Sequence, residues 1–236
     1  TYGAYTDFLN YRLVGIAVMA ALDYRRRTGK GQYIDNSQFE GALQYLGPVI
    51  AEYAVNGRIW RRMGNRAANA APHGIYPCRG ADRWCAIAVF SDGEWEAFCQ
   101  AMGNPEWTRD PRFATFLTRK QNEDELDRLV GEWTRDYTPE QLMAMLQACG
   151  VAAGITEKAE DLHNDPQLKH RQHFVMLEHP VIGRHAYEIG RYKLSKTPAQ
   201  IRPAPCIGEH NEYVYKKLLG MSDGEVADLM AEGVFE

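Results

Sequence analysis

The chain has 236 residues, 45% of them hydrophobic and 25% charged, with a formal net charge of −4. That composition is ordinary for one large or two modest globular domains and indicates no exotic class. A mildly acidic chain whose aromatic residues accompany no basic stripe argues against a nucleic-acid partner.

The stretch YTDFLNYRLVGIAVMAALDYRRRTGKGQYIDNSQFEGAL, Tyr5 to Leu43, carries the first pattern. From Leu13 to Leu22 only Gly15 interrupts a run of apolar side chains, so this helix is expected to be packed on every face. Arg25, Arg26 and Arg27 suit the negative pole at its end, and Gly29 can take the left-handed cap. Gln32 to Asp35 then read as a short strand. Ser37 and Glu40 have the spacing of a capping box, so a second helix starts at Ser37. Phe39, Leu43, Leu46, Ile50 and Tyr53 continue it at helical spacing, with a bend at Pro48. Asp7 falls just ahead of the apolar run, where a carboxylate feels the positive pole and unpaired amide donors. On the residues alone, Asp7 or Asn10 is simply a helix cap.

After Asn56-Gly57 the periodicity ends, and Arg58 to Ala71, with GNRAANAA at its heart, reads as a long connection. HGIYPC and RWCAIAV flank the turn RGAD as a hairpin. Asp92 is expected to cap a helix through Met102, with Trp95, Phe98 and Met102 on one face and Gly103 at the end. Leu126, Leu129, Val130 and Trp133 mark another amphipathic helix. Thr138-Pro139-Glu140-Gln141 opens a third, which Gly150 ends. Val151 to Ile155 reads as a buried strand, closing an α+β unit over residues 72–156.

Five histidines fall between His163 and His185, and His170 with His173 could face one way on a helix, as metal ligands do. No third ligand is placed nearby, so solvated histidines are the better reading and no metal is expected. FVMLEHP, RHAYEIG and RYKLS read as extended segments, followed by a connection stiffened by Pro198, Pro203 and Pro205. The tail, residues 206–236, reads as two short helices, the second opened by Ser222 and Glu225. The five cysteines, Cys78, Cys85, Cys99, Cys149 and Cys206, show no metal-type or redox pairing and fit reduced thiols in a cytoplasmic protein. With no apolar stretch near the ~20 residues of a membrane span and no charged-then-apolar leader, neither a membrane nor a secretory destination is expected.

Three groups of motifs carry a resemblance: Thr6-Asp7 followed by Ala20-Ala21-Leu22 and RTGKGQ, DLHNDPQLKHR followed by EHPVIG, and GEHN followed by LLG and Gly233-Val234. Together they are similar to the family III CoA-transferases, the CaiB/BaiF family, specifically to their C-terminal part. The resemblance implies an α/β fold in which a Rossmann-like large domain, only partly represented, is joined by long linkers to a smaller α+β domain in an interlocked dimer. Residues 1–57 would belong to the large domain, 58–71 to a linker and active-site loop, 157–205 to a second linker, and 206–236 to helices returning to the large domain. Asp7 falls on the family's nucleophilic aspartate. Asn65, Asn69 and His73, in the loop that covers the reacting thioester, and Gln38 are the candidate substrate-binding residues.

The implied activity is transfer of CoA from an acyl-CoA to a free carboxylic acid through an aspartyl-CoA thioester, with no metal or other cofactor and CoA thioesters as substrates. The stretch around Asp7 is most similar to branches acting on aromatic or branched dicarboxylic acids, such as benzylsuccinate-type transferases. The partner chain would be an identical or a related subunit. Two alternatives stand beside this reading: an α-methylacyl-CoA racemase of the same family, in which an acidic residue near Asp92 moves a proton, and a noncatalytic subunit or fragment.

Overall fold

The computed structural model describes residues 5–190 and 192–234, arranged in two compact units, Thr1–Gly64 and Asn65–Glu236. The fold is mixed α/β, with helices in the first unit and both helices and antiparallel sheets in the second.

In the first unit, α1 spans Tyr5–Thr28, with Asp7 in its first turn and Arg25, Arg26 and Arg27 in its last. Each charge therefore faces the helix pole that suits it. Gly29, at φ 72°, ends the helix by donating its N–H to the Arg25 carbonyl at 2.8 Å. The expectation of an all-round buried helix is not met: no residue of α1 is buried, and Ile16 and Met19 are 69% and 66% exposed. The reason lies in the neighbours. The helix packing on α1 is α2, Gln38–Tyr45, and eight residues can cover only one stripe of a 24-residue helix.

The expected strand at Gln32 to Asp35 is also replaced, by an irregular stretch in which Tyr33 is 90% exposed. A strand needs another strand to pair with, and the described part of this unit holds none. The second helix begins as expected, the Ser37 hydroxyl accepting the Glu40 N–H at 3.2 Å. It does not bend at Pro48 but stops at Leu46, and α3 spans Gly47–Asn56. Pro48 lacks the N–H that a continuous helix would use, whereas in the first turn of a new helix no such donor is needed. Gly57, at φ 66°, closes α3.

The second unit is built on β1 (His73–Pro77), β2 (Trp84–Ala88) and β3 (Ala152–Thr156), an antiparallel sheet in that order with Tyr76 opposite Cys85 and Cys85 opposite Ile155. Strand β2 buries Cys85 and Ile87 and turns Trp84 and Ala86 outward, the alternation of a sheet covered on one face. The core behind it comprises Trp95 and Phe98 of α4 (Asp92–Ala101), Leu126 and Val130 of α6 (Glu123–Thr134), and Leu142 and Leu146 of α7 (Pro139–Ala148). The short α5 (Phe116–Gln121) supplies the fully buried Arg119. Capping boxes open α5 at Thr115 and α7 at Thr138.

Three expectations in this unit need correction. The N-cap of α4 is Ser91, whose hydroxyl accepts the Glu94 N–H at 3.2 Å, and Asp92 is the first helical residue instead. Strand β3 is half exposed rather than buried, because it lies at the end of the sheet with only β2 beside it; Val151 just before it is buried in the core and Ala153 packs against that core only in part. His170 lies in the last turn of α9 (Pro166–Arg171) while His173 follows the helix end, so they do not share a helical face.

Residues 157–205 include α8 (Ala159–Asn164), α9 and the hairpin β4 (Phe174–His179) with β5 (Gly183–Glu188). Arg83 ties this region to the turn of the first hairpin, reaching Asp161 and Glu140 at 2.5 Å each. The Lys158 N–H and the Arg83 guanidinium together hold the Asp161 carboxyl below the usual carboxylate range. RYKLS forms no strand over residues 192–195; Arg191 lies outside the described residues. The tail contains a π-helical segment, Tyr213–Leu218, and α10, Asp223–Ala231, the latter opened by the Ser222 and Glu225 capping box. No helix among the described residues is long and apolar enough to cross a membrane.

Candidate active site

Two of the candidate residues meet in the first unit. Gln38 is the first helical residue of α2 and Asp7 lies in the first turn of α1. The Gln38 side-chain amide donates one N–H to Asp7 Oδ1 and another to Thr6 Oγ1, the latter at 2.9 Å. A carboxylate can only accept, so the nitrogen of the Gln38 amide is the atom that faces Asp7.

Gly41 lies beside this meeting. One turn further along α2, a Cβ at Gly41 would lie 2.4 Å from Asn10 Oδ1 and 2.9 Å from Leu13 Cδ1, both on α1. A larger residue there would have to push the Asn10 and Leu13 side chains aside, so glycine suits the packing of α2 on α1 one turn from the Gln38–Asp7 contact. In the same crevice Asn10 Oδ1 is buried without a hydrogen-bond partner. Asp7 and Gln38 are themselves exposed, so a reactant can reach the carboxylate.

Asn65 and His73 are joined in the second unit. His73 Nδ1 bonds the Asn65 carbonyl oxygen, which can only accept. The ring proton is therefore on Nδ1, and Nε2 is the nitrogen left to meet a ligand. Phe90 packs edge-on against the same ring at 6.1 Å. Asn69 stands on the exposed turn closed by the Ala67–Ala70 bridge.

The segment bearing these three residues is pinned at several points. Lys120 Nζ donates to the Ala67 carbonyl at 2.9 Å and Arg119 Nε to the Ala71 carbonyl at 3.0 Å. Arg66 reaches Asp124 at 2.6 Å and Asp127 at 2.7 Å. The second half of the expected loop is thus held by α5 and α6, which the polar, aperiodic sequence gave no sign of. At the other end of the connection, within the first unit, Arg58 and Trp60 Nε1 bond the Glu52 carboxylate at 3.2 and 3.3 Å.

Other candidates for chemistry are already engaged. Asp92, the acidic residue weighed for proton transfer, accepts from Arg119 Nη2 at 2.7 Å, and that guanidinium also lies 4.9 Å from the Trp95 ring. The geometry commits Asp92 to holding α5 against α4. Burial pushes the thiols of Cys78, Cys85 and Cys99 up to about 11, so they stay protonated and unreactive near neutral pH. All five cysteines are unpaired. Among the described residues, no three His, Cys, Asp or Glu side chains gather as metal ligands would.

Asp7 and Gln38 lie within the 1–211 span matched by the family model for CoA-transferase family III. A succinyl-CoA--D-citramalate CoA-transferase of Chloroflexus aurantiacus is 35% identical over 229 residues, covering 97% of this chain and 57% of that protein. A probable CoA-transferase of Mycobacterium tuberculosis is 36% identical over 238 residues, 99% of this chain and 30% of that one. Among solved structures, a CaiB/BaiF family protein from Brucella suis matches with a TM-score of 0.80 at 28% identity, over 92% of this chain and 56% of its own. The chain therefore spans between about a third and somewhat over half of these relatives.

Proposed function

Because the chain belongs to CoA-transferase family III, we propose that it supplies the nucleophile of an enzyme that moves CoA from an acyl-CoA donor to a free carboxylic acid. Asp7 carries the CoA between the two half-reactions as an aspartyl thioester. The observation that carries this reading is the placement of Asp7 itself, an exposed carboxylate in the first turn of α1, held on one oxygen by Gln38.

The chemistry needs only a carboxylate. Asp7 attacks the donor thioester carbonyl, the C–S bond breaks, and a mixed anhydride and CoA thiolate result. The thiolate then attacks the Asp7 carboxyl carbon, expelling the donor acid as its carboxylate and leaving aspartyl-CoA. An incoming acid reverses both steps. Each step preserves an activated acyl group, so no metal, ATP or redox cofactor is called for. Water must be excluded, since hydrolysis of the anhydride or thioester would waste the activation. Asn65, Asn69 and His73 serve as substrate-binding residues in the loop that provides that exclusion.

The similarity to a protein named for succinyl-CoA and D-citramalate supports a succinyl-type donor and a short branched dicarboxylic acid as acceptor. The full fold joins a Rossmann-like large domain to the smaller unit through long linkers, and the enzyme works in the cytoplasm as an interlocked dimer of identical or related subunits. The unburied surface of α1 supports a dimer: Phe8, Ile16, Met19 and Leu22 are between 48% and 69% exposed and need a cover.

Replacement of Asp7 in the full chain tests the reading. Asp7→Ala should abolish CoA exchange while the protein stays folded, and Asp7→Asn should nearly do so. Substantial exchange by Asp7→Ala would sink the assignment.

A further inference from the structure

We infer that Gln38 is a catalytic residue for the chemistry at Asp7, donating a hydrogen bond to the oxyanion that forms on the Asp7 carboxyl group, and not a contact to the substrate acid. This rests on the reading of Asp7 as nucleophile and assigns different tasks to its two oxygens.

The geometry makes the assignment. Gln38 Nε2 bonds Oδ1, and its second N–H is spent on Thr6 Oγ1 at 2.9 Å, so the amide group is oriented from two sides. With Oδ1 engaged, Oδ2 is the attacking oxygen. It forms the new bond to the acyl carbon as the donor C–S bond breaks, and the bonding pair leaves on sulfur as CoA thiolate. When the thiolate attacks the Asp7 carboxyl carbon, the carbonyl π pair moves onto Oδ1. As that pair returns, the bond to Oδ2 breaks, and Oδ2 departs within the donor's carboxylate. No proton is gained or lost. In this second step the negative charge grows on Oδ1, the atom the Gln38 N–H already addresses.

Such a donor acts more strongly on the tetrahedral oxyanion than on the resting carboxylate, whose charge is shared over two oxygens, and therefore speeds the step rather than only tightening binding. The same contact serves the return half-reaction, where the acceptor's carboxylate attacks the aspartyl thioester carbon. The close approach at Gly41 fixes α2 against α1 one turn away, which gives the donor its preorganisation.

The test is steady-state and single-turnover kinetics of Gln38→Ala and Gln38→Glu in the full chain, with Asp7→Ala as the parallel control. Gln38→Ala should lose about 100-fold or more in kcat, the scale of one lost oxyanion donor, with the KM for acyl-CoA and for acid within about twofold of wild type and an unchanged melting temperature. Single-turnover formation of hydroxylamine-sensitive aspartyl-CoA should slow by the same factor. Gln38→Glu keeps the shape but removes the donor, and should lose at least as much. A raised KM for the acid with kcat intact would make Gln38 a substrate contact and overturn the inference. So would wild-type kcat in Gln38→Glu. If Asp7→Ala is inactive while Gln38→Ala is unimpaired, only this inference fails; if Asp7→Ala is active, the parent reading fails with it.

Discussion

Arg119 is fully buried, and its guanidinium donates to the carbonyls of Ala71 and Phe113 and to Asp92 while lying over Trp95. Arg119→Ala removes the packing and leaves two carbonyls without their donor, at a cost of about 3 kcal/mol in urea unfolding. Asp92→Asn keeps a side-chain oxygen for the hydrogen bond from Arg119 but leaves that fully buried guanidinium without its counter-charge, where water cannot replace it, and should cost about 1–3 kcal/mol. CoA exchange by Asp92→Asn should stay near wild type. A collapse of exchange in a folded Asp92→Asn would restore Asp92 as an acid or base. At this scale the residues alone made Asp7 a helix cap, and only the resemblance of the flanking motif made it a candidate nucleophile. Gln38 could be named but not given its partner, since it lies 31 residues away and the meeting depends on a helix-to-helix approach.

Helices with start and stop residues of their own were legible. Ser37, Thr138 and Ser222 each begin a helix as the capping pattern requires, and the RGAD turn joins the two strands it separates. What was not legible depends on neighbours. Gln32 to Asp35 have strand chemistry but no strand beside them in the described unit, and α1 has a core helix's composition without a core around it. Gly41 shows the same limit: in sequence it is an unfavourable helix residue, and in three dimensions it is where α2 lies directly against the Asn10 and Leu13 side chains of α1. Gly41→Ala should push the Asn10 and Leu13 side chains aside, destabilise the first unit by about 1–3 kcal/mol as overpacking does, and lower kcat by disturbing the Gln38 contact. Calorimetry and the exchange assay on one preparation would check both. An alanine variant as stable and active as wild type would show that the close approach is not needed.

For the whole molecule, the chain spans between about a third and somewhat over half of its relatives, and the exposed apolar surface of the first unit motivates the proposal of a dimer. Light scattering of the full-length protein at micromolar concentration should give a dimer, with an interface above the roughly 2,000 Å² of permanent assemblies. A stable, active monomer would refute that. The central claim is covalent, however, and mass spectrometry addresses it directly. Wild-type enzyme incubated with acyl-CoA in the absence of acceptor acid, then digested rapidly, should carry CoA on the peptide containing Asp7, and the adduct should vanish on adding acceptor or hydroxylamine and be missing in Asp7→Ala. An adduct on another residue, or steady CoA exchange with no adduct on Asp7 under conditions that preserve thioesters, would contradict the account.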